Sequence, residues 1–191
     1  QIRQLPGTLG ECPRLQKLML ACNQLHDLPP SLAQCTKLEL LRISGNALTD
    51  IPGVVFALPA LAWLAIAGNP FTQKNEQNAL EGSAQSAISY QNLQQHELLG
   101  EGASGHIYRA TRSGGGDVAL KVFKAGQTSD GTPASELAAG LSAGQHTNLL
   151  TPLAPVAGHP QGKLAMALPL LPPGLQALAG PPSMDSCTRD V

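Results

Sequence analysis

The apolar positions of the first seventy residues recur in register. Leu15, Leu18, Leu20, Leu25 and Leu28 are followed by Leu38, Leu41, Ile43, Leu48 and Ile51, each 23 positions on, and then by Leu61, Leu64 and Ile66. An asparagine keeps the same step (Asn23, Asn46, Asn69), and Pro29 and Pro52 close the full copies. The third copy closes on Pro70-Phe71, and an earlier one survives as Ile2-x-x-Leu5-Pro6. Self-similarity at a fixed period predicts a repeat architecture. In Leu18-x-Leu20 the apolar residues alternate, so both point to one face of a short strand while Lys17, Met19 and Ala21 point to the other. One such coil cannot bury its leucines alone; stacked coils join them into a continuous core whose strands line a concave face.

This pattern, Leu-x-x-Leu-x-Leu-x-x-Asn-x-Leu, resembles the leucine-rich repeat. The resemblance implies an α/β solenoid over residues 1–72, in which the asparagine column satisfies backbone groups at the turn after each strand, groups that would be costly to bury unpaired. The concave face reads as three columns: Lys17, Leu40, Trp63; Met19, Arg42, Ala65; Ala21, Ser44, Ala67. Met19, Leu40 and Trp63 are apolar on a face that is normally wet. They form a candidate patch for a protein partner or substrate, with cover by a neighbouring domain or by further repeats as the competing reading.

After Phe71 the period stops. Residues 73–92, rich in Gln, Asn, Ser and Ala, are expected to give a short cap over the last repeat and then a tether. From residue 93 a different pattern begins. Leu99-Gly100-Glu101-Gly102-Ala103-Ser104-Gly105-His106-Ile107 contains G-x-G-x-x-G, which dinucleotide-binding proteins share; in those the third glycine opens a helix. Here His106-Ile107-Tyr108-Arg109-Ala110 alternates and carries β-formers, so a strand is expected. A turn at Ser113 to Gly116 leads to a second strand, Val118 to Phe123, which contains Lys121.

Strand, glycine loop, strand, turn and lysine-bearing strand together resemble the amino-terminal lobe of a protein kinase, an α+β unit of antiparallel sheet plus one helix, over residues 93–191. The resemblance implies ATP and Mg2+ as cofactors. Residues Leu99 to Ile107 would lie over the ATP phosphates, where glycine lets backbone N–H groups approach, and Lys121 in Val-Ala-Leu-Lys would hold the α/β-phosphates. Glu136, on a helix around Ala134 to Ala139, would pair with Lys121. His146-Thr147-Asn148-Leu149-Leu150 matches the family's segment between that helix and the next strand, and Lys163 to Leu168 its last strand before the hinge. Pro169 departs from the pattern, because it has no N–H to offer adenine; Leu168 donates instead, or the hinge is atypical. A Ser/Thr preference is the family default and comes from no residue here.

The family's His-Arg-Asp and Asp-Phe-Gly motifs, which supply the base and the Mg2+ ligands, do not occur. The aspartates after Lys121 are Asp130, Asp185 and Asp190, and Arg189-Asp190 follows Thr188. The expectation is a fragment cut after the small lobe, with catalytic and metal-binding residues beyond Val191 and no turnover by this chain alone, since phosphoryl transfer depends on positioning and charge stabilisation. Two other functions compete: a leucine-rich-repeat scaffold with a non-catalytic pseudokinase segment, and a dinucleotide-binding oxidoreductase, which needs a helix after Gly105.

Bulk properties narrow the partners. With 12 Lys+Arg against 13 Asp+Glu among 191 residues and no basic run, nucleic acid is excluded as an expected partner. The most apolar stretch, Val54 to Ala67, is broken by Pro59 and falls short of the ~20 residues of a spanning helix, so no membrane is expected. Cys12, Cys22, Cys35 and Cys187 show no metal-ligand spacing and are read as buried free thiols of a cytoplasmic protein. The opening on Gln1, already inside a repeat, gives the same expectation of a fragment.

Overall fold

The computed structural model describes residues 1–175. Strands β1 (Lys17–Met19), β2 (Leu40–Arg42) and β3 (Trp63–Ala65) form a three-stranded parallel sheet in chain order. Its register keeps the 23-residue step, with Lys17 opposite Leu40 and Leu40 opposite Trp63. The strands stay short because the chain turns at once. Cys22, Gly45 and Gly68, again 23 apart, take left-handed φ values of 61°, 61° and 72°. Single 3-10 turns (Gly7–Glu11, Pro30–Gln34, Gly53–Ala57) run along the opposite side. Between the two sides Leu25, Leu32, Leu38, Leu41, Ile43 and Leu48 are fully buried, and Phe71 packs against the same cluster.

The asparagines stitch neighbouring coils. Asn46 Nδ2 donates to the carbonyls of Leu20 (2.9 Å) and Ile43 (3.0 Å), and its Oδ1 accepts from Leu25 N–H (3.0 Å). Asn69 does the same one coil on, with Ile43, Ile66 and Leu48. Each side chain therefore satisfies backbone groups that turn away from the sheet inside the core.

The second half forms a six-stranded sheet from β4 (Ile88–Ser89), β5 (Leu93–Glu101), β6 (Gly105–Arg112), β7 (Asp117–Phe123), β8 (Ala154–Ala157) and β9 (Ala165–Pro169). The order is β4-β8-β9-β7-β6-β5. Side chains of β7 alternate between two cores. Val118, Leu120 and Val122 pack with Ala110, Ala165 and Ala167 on one face. Ala119 and Phe123 meet Leu137 and Leu168 on the other. Leu137 belongs to a helix, Pro133–Ser142. By the strand period Lys121 shares this helix-bearing face.

Three expectations change. The sheet is mixed, because β4 pairs parallel with β8 while the other neighbours are antiparallel; it therefore begins before residue 93. The segment 73–92 is no tether. A helix α1 (Pro70–Ser83) starts inside the last repeat, Leu80 packs into the cluster of Leu137 and Phe123, and β4 follows. Its run of Gln, Asn, Lys and Glu is polar without being averse to helix, and Pro70 sits at the first turn, where its missing N–H costs nothing. The second helix, Pro133–Ser142, is α2. Among the described cysteines Cys35 is buried, whereas Cys12 and Cys22 are exposed, one closing a 3-10 turn and the other in the turn after β1. Cys187, Asp185, Thr188, Arg189 and Asp190 lie outside the described residues.

Candidate functional site

β5 and β6 are joined by a tight loop. Gly102 N–H donates to Gly105 O (2.9 Å), and Lys124 N–H donates to Ser104 O (3.0 Å). The three glycines are not equivalent. A Cβ at Gly105 would stand 2.6 Å from the Val122 carbonyl oxygen, so packing demands glycine there. A Cβ at Gly100 or Gly102 would meet nothing within 4 Å, and neither residue takes a left-handed φ. Neither packing nor backbone demands glycine at these two positions. What glycine leaves there is bare backbone that an anion can approach closely. No helix follows the third glycine, since β6 begins on it; the helix that the oxidoreductase reading required is replaced by a strand.

The neighbours of the loop define its charge. Lys124 Nζ donates to Glu101 Oε1 (2.6 Å) and Gly102 O (3.0 Å), tying the loop to the end of β7. That hydrogen bond, with the Lys124 charge, holds the Glu101 carboxyl below the usual carboxylate range. His106 lies opposite Glu101, its Nε2 3.5 Å from the carboxylate. Leu99 is exposed, and Ile107 packs on the α2 side of the sheet.

Lys121 lies opposite Ile107 in the β6–β7 register. Its ammonium donates to Glu136 Oε1, and its Nζ stands 5.1 Å from the Phe123 ring centroid. The Lys121 side chain is 13% exposed and that of Glu136 41%. A nearly buried ammonium needs a partner to offset lost hydration, and the carboxylate and the ring face provide one each. Glu136 stands there because Thr132 caps α2, its hydroxyl oxygen accepting from Ser135 N–H (3.1 Å), with Pro133 at the first helical position. The sequence pattern brought Lys121, Glu136 and the loop to attention. It gave no sign of Lys124, which a pattern of three glycines does not include.

The other expected elements fall as follows. His146 and Asn148 lie in an exposed turn between α2 and β8, where Asn148 N–H donates to His146 Nδ1 (3.1 Å). Residues 165–168 of the expected last strand are in β9, which runs on to Pro169, opposite Val118. Among the described residues no three His, Cys, Asp or Glu side chains group to hold a metal ion. No helix among them is long and apolar enough to cross a membrane.

On the concave face of the repeats the columns divide. Met19 and Trp63 are exposed, at 60% and 53%, and Leu40 is half-buried. Ser44 and Ala65 are buried. The covering segment is the connection between β7 and α2. Arg42 Nη1 donates to Ser129 Oγ (2.8 Å), and Arg42 Nε makes an ion pair with Asp130 Oδ1 at 2.9 Å without hydrogen-bond alignment. The same guanidinium sits 5.4 Å from the Trp63 ring centroid. Between this edge of the repeats and the glycine loop opens a cavity of about 610 Å³, with Trp63, Ala67, Ser104, Lys124, Gln127 and Glu136 among its walls. Glu136 thus borders the cavity and also pairs with Lys121.

The leucine rich repeat family model matches residues 13–71. That stretch, with its parallel strands and asparagine ladder, is a leucine-rich repeat. A search of curated proteins finds no match to the chain.

Proposed function

We propose that the chain joins a protein-binding leucine-rich-repeat array to the ATP-binding lobe of a protein kinase of Ser/Thr type. The observation that carries the reading is the ion pair of Lys121 with Glu136, on the strand next to a glycine loop whose Gly100 and Gly102 have open space around them. The antiparallel run β5-β6-β7-β9, with α2 on the face of Lys121, supports it.

ATP phosphates fit these residues. Lys121 has three N–H donors, of which Glu136 takes one; the others are available to phosphate oxygens, and Glu136 keeps the ammonium aimed. The backbone N–H groups of Ala103 and Ser104, which donate to no backbone carbonyl among the described residues, would meet the same anion. ATP would supply the transferable phosphoryl group, and Mg2+ would neutralise its charge. The chain's own contribution is binding and orientation. It contains neither the His-Arg-Asp nor the Asp-Phe-Gly motif, so the expected behaviour of these 191 residues is weak nucleotide binding without turnover. A cytoplasmic setting goes with that reading.

For the repeats the reading is a protein partner, supported by the exposed Met19 and Trp63. A repeat scaffold carrying a non-catalytic pseudokinase segment is a second reading, supported by the family model's match to the repeats at residues 13–71. Calorimetric titration with ATP tests the first. Binding lost in Lys121→Met and kept in Lys17→Met supports it; no binding, or equal binding by Lys121→Met, overturns it. Turnover of radiolabelled ATP by the purified chain would refute the expected inactivity.

A further inference from the structure

We propose that Glu76, on α1, is a positioning residue for Glu136, so that the repeat array sets the aim of the Lys121 ammonium. The inference rests on the reading of Lys121 and Glu136 as phosphate-binding groups, and its structural part stands on hydrogen bonds alone.

One carboxylate joins the two halves of the molecule. Glu76 Oε1 accepts from Gly68 N–H (3.0 Å), in the turn after the last repeat strand. Glu76 Oε2 accepts from the Ser135 hydroxyl (2.8 Å). Ser135 is 2% exposed, in the first turn of α2, and immediately precedes Glu136. Because its proton goes to Glu76, the 2.9 Å contact between the Ser135 and Thr132 hydroxyls has Thr132 as donor, and the Thr132 oxygen accepts Ser135 N–H in turn. The helix cap is therefore wired to Glu76 through a closed set of hydrogen bonds, in which each member fixes the next.

The chain just before α2 is held from the same side. Arg42 reaches Ser129 and Asp130, and Gly131, at φ 141°, passes so close to Ala67 that a Cβ there would stand 2.9 Å from the alanine methyl. Glu136 has no polar side-chain partner other than Lys121 among the described residues. Its direction is set by where the first turn of α2 sits, and the repeats with α1 decide that.

The test needs a readout at Lys121 that works without nucleotide. In the 191-residue chain, the acetylation rate of Lys121 by acetic anhydride can be followed by peptide mass spectrometry, normalised to Lys17 and Lys37. Glu136→Gln frees the amine and should raise the normalised rate. Glu76→Ala should raise it to a similar level, Ser135→Ala likewise, and the double variant no further. Glu81→Ala, on the same helix, should leave it unchanged. The apparent affinity for ATP should fall about tenfold in Glu76→Ala, as for loss of one charge-assisted hydrogen bond.

A Lys121 rate at the wild-type level in Glu76→Ala and Ser135→Ala, with Glu136→Gln raised, overturns the proposal. So does a rise shared by every lysine, which signals general loosening. If Glu76→Ala does not fold, Ser135→Ala, which keeps the carboxylate and the helix, decides. No ATP protection of Lys121 in the wild-type chain, with the order of rates intact, strikes the nucleotide reading alone.

Discussion

Gly105 lies against Val122 so closely that the smallest side chain at 105 would come within 2.6 Å of the Val122 carbonyl oxygen. Gly100 and Gly102, in the same motif, have no such neighbour. Gly105→Ala is therefore expected to lose about 1–3 kcal/mol of stability, as overpacking does. Gly100→Ala and Gly102→Ala should unfold at nearly the wild-type denaturant midpoint and lose ATP affinity instead. Urea melts beside ATP titrations separate the two classes. A Gly105→Ala variant as stable as wild type would contradict the packing argument.

Asn46 holds three carbonyls and one N–H of two adjacent coils, and the residue is 8% exposed. Asn46→Ala leaves those groups without partners where water has little access. At about 1–3 kcal/mol for a buried unsatisfied group, the expected loss is about 3 kcal/mol, measured by chemical denaturation. Asn23 is more exposed and bonds fewer buried groups, so Asn23→Ala should cost clearly less. Equal losses at the two sites would count against the ladder as the source of the effect.

The repeats were open to reading from sequence because each of their rules is local and recurs: Leu18 and Leu20 alternate, Asn23 follows, and 23 residues later the same order returns. The strand–loop–strand around Gly105 and the lysine strand were open for the same reason. The junction was not. Glu76 and Ser135 are 59 positions apart, and nothing in the composition of residues 73–92 marks Glu76 among its polar neighbours. Helix α1 looked like a linker because its apolar contacts are few, Phe71 and Leu80 among them. Cys22, expected with the other cysteines to be a buried thiol, lies instead in the turn column it shares with Gly45 and Gly68.

Glu76 carries a pH dependence. Burial acts to raise its pKa, but the hydrogen bonds from Gly68 N–H and the Ser135 hydroxyl work against that, and the carboxyl is held below its ordinary value. A carboxyl depressed in the folded state contributes stability above its unfolded pKa and loses it as the pH falls through the folded value. Glu76→Gln should therefore be less stable than wild type near neutrality. The gap should narrow on the acid side of the usual glutamate range, as the wild-type carboxyl takes up its proton. Paired melting curves across that range check it; a gap that widens on acidification has the wrong sign.

The turn column gives the last test. Gly45 and Gly68 hold left-handed φ without a Cβ, but Cys22 holds the same conformation, at 61°, with one. Left-handed backbone costs a residue with a side chain about 1–2 kcal/mol. The Cys22 thiol is exposed, so removing it forfeits little packing. Glycine loses more chain entropy on folding, which offsets part of the gain. Cys22→Gly should therefore raise stability by about 1 kcal/mol, read as a higher denaturant midpoint with an unchanged slope. Gly45→Ala should do the opposite and lose about the strain alone, because the atoms its Cβ would meet belong to the far end of the Gln127 side chain, which can swing aside. If Cys22→Gly destabilises the chain, the conformation at that turn is not the source of strain, and the shared geometry of residues 22, 45 and 68 carries no energetic meaning.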